Sequence, residues 1–310
     1  MRTMKIHVTG YEMKSPEILE PTRVMAISDV HENSRMFAGI TALVRDTRPD
    51  YLCLVGDTLD HSGSDGASVI EWLKDLAKLT KVVITIGNHE MVALGRGFFG
   101  MFRRPQVREN HEFYKTVEGI KNCALLKEQF SVYEATPWLT FSALNMPENW
   151  YQRGLEDQKE FDAAVAAIPK NALQKKNYNI MLSHSPGGFL MGGRLRTKEA
   201  VPILDKVDLV LSGHHHAGLV PLALRKLMAK RGFFGPRYLV GQPHAYGMWE
   251  RDGRYLILSG GVTKFAESSG VGGLGHWLNK RFKPEAEDIW LLPDVGKGAN
   301  RNGKRVKQGK

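Results

Sequence analysis

Short apolar runs, rich in β-branched residues, recur along the chain and predict buried strands. They cover residues 23–27, 51–55, 82–86, 179–182, 209–211 and 255–258. Between several of these runs, residues 34–48, 65–79, 156–175 and 197–206 repeat their apolar positions at helical spacing. This alternation predicts an α/β architecture, in which layers of helices pack on a sheet.

Polar residues follow five of these runs at the point where each run ends. In α/β sheets, the loops beyond the carboxyl ends of the strands build the active site. The residues at these ends are Asp29 and His31; Asp57, Asp60 and His61; Asn88 and His89; His184; and His214, His215 and His216. A single Asp or His at a loop start is more often an ordinary hydrogen-bonded residue than a ligand. Five consecutive strand ends with such residues instead favour a metal site.

The donor set offers nitrogen and oxygen but no thiolate, which suits divalent Mn, Fe or Zn. The candidate ligands are Asp29, His31, Asp57, Asn88, His184, His214 and His216. Seven ligands are too many for one ion, and two ions that share a bridging carboxylate would use them all. If residues 214–216 are extended, His214 and His216 point to the same face and each reaches one ion. His215 would then lie on the opposite face, in a structural or solvent-facing position.

Composition limits the domain organisation. The chain has 310 residues, of which 42% are hydrophobic and 25% charged, so we expect one large globular domain rather than a fibrous or disordered protein. We assign residues 1–22 to an N-terminal extension, 23–293 to the catalytic domain and 294–310 to a basic, disordered tail.

The formal net charge of +10 suits phosphorylated substrates, anionic lipid or nucleic acid as partners. Part of it belongs to the tail, whose basic residues are Lys297, Arg301, Lys304, Arg305, Lys307 and Lys310. Without them the chain has 37 basic against 33 acidic residues, which leaves +4. The tail would tether the protein to an anionic membrane surface or to nucleic acid, or serve solubility alone. No obligate protein partner is indicated.

The sequence also bears on location. Cys53 and Cys123 are expected to be free thiols in a reducing compartment. The N-terminus lacks the apolar region of a secretory signal, and no segment approaches the roughly 20 apolar residues of a spanning helix. We therefore expect a cytoplasmic protein, with peripheral contact to a membrane as an open alternative.

The blocks Asp29-x-His31, Gly56-Asp57, Gly87-Asn-His-Glu90, His184 and Gly213-His-x-His216 resemble the signature of the calcineurin-like metallophosphoesterase superfamily, in the same order. The resemblance implies a four-layer α-β-β-α sandwich with two central mixed β-sheets and an active site at the strand C-terminal ends. It assigns Asp29, His31 and His216 to the first metal. It assigns Asn88, His184 and His214 to the second, with Asp57 as the bridge. The implied reaction is hydrolysis of a phosphomono- or phosphodiester by a hydroxide that bridges the two metals.

Two further residues receive catalytic roles. Protonation of the leaving alkoxide needs an acid, and His89 is assigned as that acid or as a stabiliser of the developing charge. In the protein Ser/Thr phosphatases of the superfamily, an Asp three residues past the bridging Asp orients this His. Asp60 stands at that spacing and is assigned the same role. The alternative for Asp60 is a helix N-cap or a turn residue.

Departures from the signature bear on the substrate. The protein Ser/Thr phosphatases carry one Arg after the bridging-Asp block and another before Gly-Asn-His-Glu, where this chain has His61 and Ile86. Neither side chain replaces the bidentate fork of a guanidinium, so a protein phosphatase is disfavoured. The glycines at 259–261 and 270–275 and the strand pattern at 288–292 resemble membrane-associated bacterial phosphoesterases, some of which act on lipid-linked phosphates. We therefore expect a small-molecule or lipid-linked substrate.

Two other functions remain open. A metal-dependent DNA or RNA nuclease is the first, because the same fold and metals serve nucleases and the chain is basic. A metal-free binding scaffold is the second, and it is disfavoured because every ligand position holds a residue of the expected type. DNA cleavage with Mn distinguishes the nuclease, and metal content distinguishes the scaffold.

A repeated pentapeptide adds a candidate surface. Arg-Gly-Phe-Phe-Gly occurs at 96–100 and 231–235, and the second copy follows a basic amphipathic stretch at 222–231. Exposed apolar residues beside basic ones suit an anionic lipid surface or an amphiphilic substrate. The alternative is that the four Phe side chains pack in the core.

Overall fold

The computed structural model of the chain describes residues 5–60, 66–93, 112–147, 150–151, 158–233, 235, 241–263, 277 and 282–294. In chain order, the strands of these ranges are β1 (His7–Ser15), β2 (Thr22–Ile27), β3 (Tyr51–Val55), β4 (Lys81–Thr85), β5 (Cys123–Leu126), β6 (Phe130–Glu134), β7 (Leu139–Leu144), β8 (Tyr178–Leu182), β9 (Leu190–Met191), β10 (Arg194–Leu195), β11 (Leu209–Ser212), β12 (Gly247–Arg251), β13 (Arg254–Leu258) and β14 (Glu285–Pro293). The helices are α1 (Ser34–Thr47), α2 (Ala67–Leu76), α3 (Asn88–Ala93), α4 (Glu112–Glu118) and α5 (Gln158–Ala166). Short 3-10 turns cover Pro202–Asp205, His216–Leu219 and Leu222–Leu224.

Twelve of the strands form two mixed sheets of six strands each. Sheet 1 has the order β1-β14-β2-β3-β4-β5, in which β2 to β5 are parallel and β14 is antiparallel to β2. Sheet 2 has the order β12-β13-β11-β8-β7-β6, with β13, β11, β8 and β7 parallel and both edge strands antiparallel. The short β9 and β10 form a separate hairpin.

Alternating side chains of the strands explain the layers. In β2, Val24 and Ala26 face the other sheet, whereas Met25 and Ile27 face helices. Successive side chains of a strand point to opposite faces, so a strand that is apolar throughout buries both faces. The core between the sheets joins residues of both, such as Cys53 of β3 and Phe141 of β7.

The outer faces of the two sheets are covered by helices. Apolar residues of α1, α2 and α4 pack on sheet 1, and those of α5 pack on sheet 2. The observed order of layers is therefore helix, sheet, sheet, helix. This confirms the predicted α/β sandwich with two central mixed sheets.

The structure differs from the sequence prediction at several elements. Residues 7–15, which we had placed in an N-terminal extension, form β1 and pair in parallel with β14 over their whole length. The helix predicted over 156–175 ends at Ala166, because Pro169 disfavours helical backbone in the residue before it. Of the helix predicted over 197–206, only the 3-10 turn Pro202–Asp205 is present. Strands β5, β6, β7, β9, β10 and β12 were not predicted.

Two further findings concern the cysteines and the helices. Both cysteines are free, and Cys53 is buried whereas Cys123 is half-buried. In the part of the chain that the structure describes, no helix is both long enough and apolar enough to span a bilayer.

A buried amide ties the two sheets together near the strand ends that carry the ligands. Asn145 follows β7 of sheet 2 and is 4% exposed. Its side-chain oxygen accepts a hydrogen bond from the Thr85 hydroxyl at 2.6 Å. Its amide nitrogen donates to the carbonyls of Leu126 and Glu128 at 2.8 and 2.7 Å. A single side chain thus satisfies three polar groups of sheet 1 and the loop after it.

We predict that Asn145→Ala lowers the free energy of unfolding by roughly 2–4 kcal/mol, because it leaves buried polar groups without partners. Urea denaturation of the two proteins measures the difference. Asn171→Ala is the matched control, since Asn171 is exposed and its loss should change stability by less than about 0.5 kcal/mol. Equal effects of the two substitutions would contradict the role given to Asn145.

Candidate dinuclear metal centre

The carboxyl ends of parallel strands from both sheets meet at one edge of the sandwich. Asp29 and His31 follow β2, Asp57 follows β3, Asn88 begins α3 after β4, His184 follows β8, and His214 and His216 follow β11. Most of these side chains are buried, and Asp29, Asp57 and His184 are at most 1% exposed. The fold therefore gathers the predicted ligand residues from five separate loops.

The first of two groups of candidate metal ligands combines residues that follow strands of both sheets. Asp29, His31 and His216 each present one such atom, and these atoms lie within 4.8 Å of one another. Nε2 of His216 lies 3.3 Å from Oδ1 of Asp29, and Nε2 of His31 lies 3.9 Å from the same oxygen. This is the set that the resemblance assigns to the first metal.

The second group is centred on Asp57. Asp57, His184 and His214 also present ligand atoms within 4.8 Å of one another. Oδ2 of Asp57 lies 3.0 Å from Nε2 of His184 and 4.0 Å from Nε2 of His31, which belongs to the first group. The Asp57 carboxylate therefore stands between the two groups, where a bridging ligand is required.

Buried oxygens without partners test whether this chain fits the metals. Oδ1 of Asp29 and Oδ1 of Asn88 are both buried, and neither accepts a hydrogen bond from any residue in the described ranges. Buried polar atoms are almost always satisfied, so each such oxygen needs an explanation. The two oxygens belong to one candidate ligand of each metal, and both are hard donors that divalent ions accept. The residues fit two divalent ions.

Hydrogen bonds behind the imidazoles fix their orientation. Nδ1 of His184 lies 2.8 Å from the carbonyl of Val55, and Nδ1 of His216 lies 3.1 Å from the carbonyl of Thr263. A carbonyl accepts, so Nδ1 carries the proton and donates, which leaves the Nε2 lone pair directed at the metal group. Thr263 also holds the β2 loop, because its hydroxyl donates to the carbonyl of Val30 at 2.7 Å.

Burial also favours the neutral form of two ligands. It lowers the pKa of His31 to about 3, with the neighbouring His89 imidazole acting in the same direction. The pKa of His214 is likewise lowered well below its usual value by burial and by His184. A neutral imidazole has the lone pair that a metal requires. At His184, burial opposes the charged form, but Asp57 outweighs it and raises the pKa to about 10, so without a metal Nε2 also holds a proton, which a bound ion would displace.

Glycines let the ligand loops approach one another. Gly56 has a φ of +74°, and a Cβ at this position would lie 2.6 Å from ring atoms of His184. Gly261 has a φ of +76°, and its Cβ would lie 2.9 Å from that of Asp29. Both conformations are strained for residues with side chains. A larger residue at either position would push a ligand out of place.

Five of the seven candidate ligands have a strained backbone. Left-handed φ values are found at Asp29 (58°), His31 (49°), Asp57 (51°), His214 (71°) and His216 (44°). Such conformations are uncommon outside glycine and cluster at functional sites, where surrounding contacts must hold them. One contact of this kind is the hydrogen bond from the His31 amide to the carbonyl of Asp57, at 2.9 Å.

These left-handed residues correct the prediction for residues 214–216. The segment is a tight turn rather than an extended strand, and a 3-10 turn begins at His216. His214 and His216 still supply different groups, but by turn geometry rather than by alternation. His215 is 3% exposed, and its Nδ1 lies 2.6 Å from the carbonyl of His244. Its structural position is confirmed, and the solvent-facing alternative was wrong.

His89 and Asp60, the two predicted catalytic residues, lie together beside the ligands. Nδ1 of His89 is 3.3 Å from Oδ1 of Asp60, and the His89 amide donates to Oδ1 of Asp57 at 2.9 Å. Burial lowers the pKa of His89, but Asp57 and the contact with Asp60 outweigh it, so the pKa is raised. Asp60 does not cap α2, whose N-cap residue is Gly66.

Glu90 was quoted in the sequence block, but no role was assigned to it. This carboxylate is 3% exposed and accepts four backbone hydrogen bonds. One oxygen binds the amides of Thr58 and Leu59 at 2.6 and 2.8 Å, and the other binds those of Asp57 and Gly87 at 2.9 and 2.6 Å. The reach back to Gly87 resembles a capping box, which is the sequence signal that points to it.

Tyr151 was not predicted either. Its ring centroid lies 5.2 Å from that of His214, in an edge arrangement, and 6.2 Å from that of His184. It therefore forms one wall of the second group. Predictions for His61, for residues 96–100 and 270–275, for Phe234 and for the tail beyond Asp294 lie outside the described residues.

Comparisons with known proteins agree with this site. The family described as calcineurin-like phosphoesterase matches residues 22–218. A transmembrane protein with a metallophosphoesterase domain from Danio rerio is 23% identical over 232 residues, which are 72% of this chain and 46% of the relative. The chain thus spans about half the length of that curated relative.

Solved structures are also similar to this chain. A dimetal phosphatase from Danio rerio is 12% identical, with a TM-score of 0.44 over 78% of this chain and 88% of the other. A novel archaeal phosphodiesterase is also 12% identical, with a TM-score of 0.37 over 77% and 84%.

The family match extends from the start of β2 to just past His216, so it contains every ligand loop described above. Members of this family hydrolyse phosphoric esters with two divalent metals, and the paired Asp and His groups of this chain are built for such ions. The chain belongs to the calcineurin-like phosphoesterase family.

Proposed function

We propose that this phosphoesterase hydrolyses a phosphomono- or phosphodiester of a small molecule or of a lipid-linked compound, rather than a phosphoprotein. Ile86 supports this choice, because it stands where protein phosphatases of the superfamily carry a phosphate-binding Arg. Its side chain is apolar and 9% exposed. An isoleucine provides no fork of N–H donors for a phosphoryl group.

The convergence of the two ligand groups on Asp57 is the observation that carries the proposal. When bound, two divalent ions neutralise charge on the phosphoryl oxygens and lower the pKa of water. Asp29, His31 and His216 would hold one ion, Asn88, His184 and His214 the other, and Asp57 both. The Nδ1 hydrogen bonds of His184 and His216 keep their Nε2 atoms directed at these ions.

His89 is placed to handle the proton of the leaving group. Its side chain is 18% exposed, so it borders the opening of the site rather than its buried floor. With the metals bound, Asp57 would share its charge with them, which would leave Asp60 as the carboxylate that holds the His89 ring. His89 then donates its proton to the leaving alkoxide, and Asp60 acts as a positioning residue.

The proposed activity predicts hydrolysis of bis-p-nitrophenyl phosphate by the Mn-reconstituted protein, with loss of activity on chelation. Elemental analysis should find close to two metal equivalents, and less than one would favour a binding scaffold. Single- and double-stranded DNA serve as competing substrates in the same buffer. Cleavage of either DNA at a higher kcat/KM than the small diester would replace this proposal with a nuclease.

For His89→Asn we predict a loss of kcat that depends on the leaving group. An alkyl phosphate needs a proton on its departing oxygen, so kcat should fall about 10²-fold to 10⁴-fold. A p-nitrophenyl ester leaves without such help and should lose much less. Metal content should stay unchanged. An equal loss on both substrates would contradict the acid role.

Asp60→Asn tests the positioning role within the same series. It should lower kcat for the alkyl ester by a smaller factor than His89→Asn, with little change in KM. In the double variant, the Asp60 substitution should have no further effect, because the group that it orients is already absent. Additive losses would show that Asp60 acts independently of His89.

Glu90 is proposed as the residue that fixes Asp57 and Asn88 relative to each other. Its carboxylate binds amides on both the β3 loop and the β4 loop. Each carboxylate oxygen accepts hydrogen bonds from two backbone N–H groups. In a glutamine, the NH2 group would replace one of these oxygens and would face two N–H donors, from which it cannot accept a hydrogen bond.

We predict that Glu90→Gln lowers the free energy of unfolding by roughly 3–5 kcal/mol and lowers metal content below two equivalents. Urea denaturation with a chelator present separates the loss of hydrogen bonds from the loss of metal. Glu71→Gln is the matched control, because Glu71 is exposed and pairs with Lys74 on the surface. Full metal content and stability in Glu90→Gln would contradict the role.

A further inference from the structure

A loop that leaves the metal centre directly after His216 has an unusual exposed face. We call residues 219–232 the basic loop. Its two ends meet, because the amide of Phe233 donates to the carbonyl of Gly218 at 2.8 Å. Met228 and Phe233 pack on a small buried cluster formed by Ala217, Val220, Ala245 and Tyr246. The basic loop therefore leaves the fold and returns at the same place, and its base packs on apolar residues.

An ion pair holds the basic loop against residues that support the metal centre. The Arg225 guanidinium lies 2.6 and 2.7 Å from the two carboxylate oxygens of Glu285, which is 2% exposed. The Arg225 carbonyl accepts from the Tyr246 hydroxyl at 2.9 Å. The amide of Glu285 donates to the carbonyl of Gly261, the residue that packs against Asp29. The loop is thus held in a fixed position near the first ligand group.

The tip of the basic loop exposes apolar residues between cations. Leu227 is 82% exposed and Leu224 37% exposed. Lys226 and Arg231 are also exposed, and neither forms an ion pair within the described ranges. From 209 to 249 the sequence contains five basic residues and no Asp or Glu. The tip therefore combines exposed leucine with unopposed positive charge.

We propose that the tip of the basic loop docks on an anionic phospholipid bilayer. Apolar side chains that enter the headgroup region gain by leaving water, and flanking Lys and Arg are attracted by the negative surface potential. The positive charge of the basic loop favours an anionic bilayer, since the sequence around the loop has no acidic residue that such a surface would repel. Single-stranded nucleic acid would instead be met by stacking aromatic residues, whereas the exposed apolar residues of this tip are aliphatic.

Docking in this way would bring the metal centre close to the membrane surface. The inference deepens the proposed function, because it favours phosphoesters whose apolar part lies in the bilayer. It is tested by binding alone, so its failure is distinct from failure of the proposed hydrolysis.

The test is co-sedimentation of the full chain with vesicles of phosphatidylcholine, with and without phosphatidylglycerol. The variants are Leu224→Ser with Leu227→Ser, and Lys226→Gln with Arg231→Gln. Leu19→Ser is the matched control, because Leu19 is 69% exposed but precedes β2, at the opposite end of sheet 1 from the ligands. Each protein is also made with the six basic residues of 297–310 changed to Gln, so that binding by the tail is measured separately. Far-UV circular dichroism checks that each variant is folded.

We expect binding to the anionic vesicles only, and a loss of at least about tenfold in affinity for both loop variants but not for Leu19→Ser. Binding that the tail substitutions alone abolish would overturn the proposal, as would equal binding of the loop variants and the unaltered chain. Light scattering on a size-exclusion column tests the other occupant. A dimer that dissociates on the leucine substitutions would assign this face to a second copy of the chain and overturn the membrane proposal.

Discussion

A buried carboxylate at the junction of two sheets is the constraint on which the rest of the site depends. Asp57 is 1% exposed, and an unpaired charge at such a position costs several kcal/mol. His184 and the His89 amide compensate it from one side, and His31 approaches from the other. Two divalent ions held by the ligand groups would place their positive charge at the same point. The Asp57 carboxylate is therefore the charge on which the site is centred, and it also links the two ligand groups.

The ligand residues around Asp57 hold a strained backbone, and contacts with other loops compensate for that strain. Each left-handed ligand residue costs about 1–3 kcal/mol, and five of the seven ligands adopt this conformation. The backbone is held by contacts that reach across loops, such as Glu90 between the β3 and β4 loops and Thr263 against the β2 loop. The ligands lie at strand ends, where the rigid sandwich supplies fixed anchors on either side. Sites on rigid elements keep their geometry better than sites on free loops.

The sequence predicted the parts of this arrangement that depend on local pattern. Buried parallel strands such as β3 and β8 are continuous apolar runs, and their ends carry the ligands, so both can be predicted from the sequence alone. Strand β1 was missed because it lies at the edge of sheet 1 and is exposed along much of its length, without an apolar run. The turn at 214–216 and the four amides bound by Glu90 depend on contacts between distant loops. No periodicity encodes such contacts.

Two features of this chain bear on how the substrate is oriented. One is Ile86, which stands where protein phosphatases of the superfamily carry an arginine, and the other is the exposed leucines of the basic loop. Because Ile86 supplies no guanidinium fork, positioning of the phosphoryl group needs more help from the metals or from the rest of the substrate. A membrane surface would supply such help, because it confines an amphiphilic substrate to a plane and fixes the direction of its headgroup. For this to work, the loop must already be ordered, since ordering it on binding would consume affinity. The Arg225 and Glu285 pair meets that requirement by fixing the loop to the same frame as Asp29.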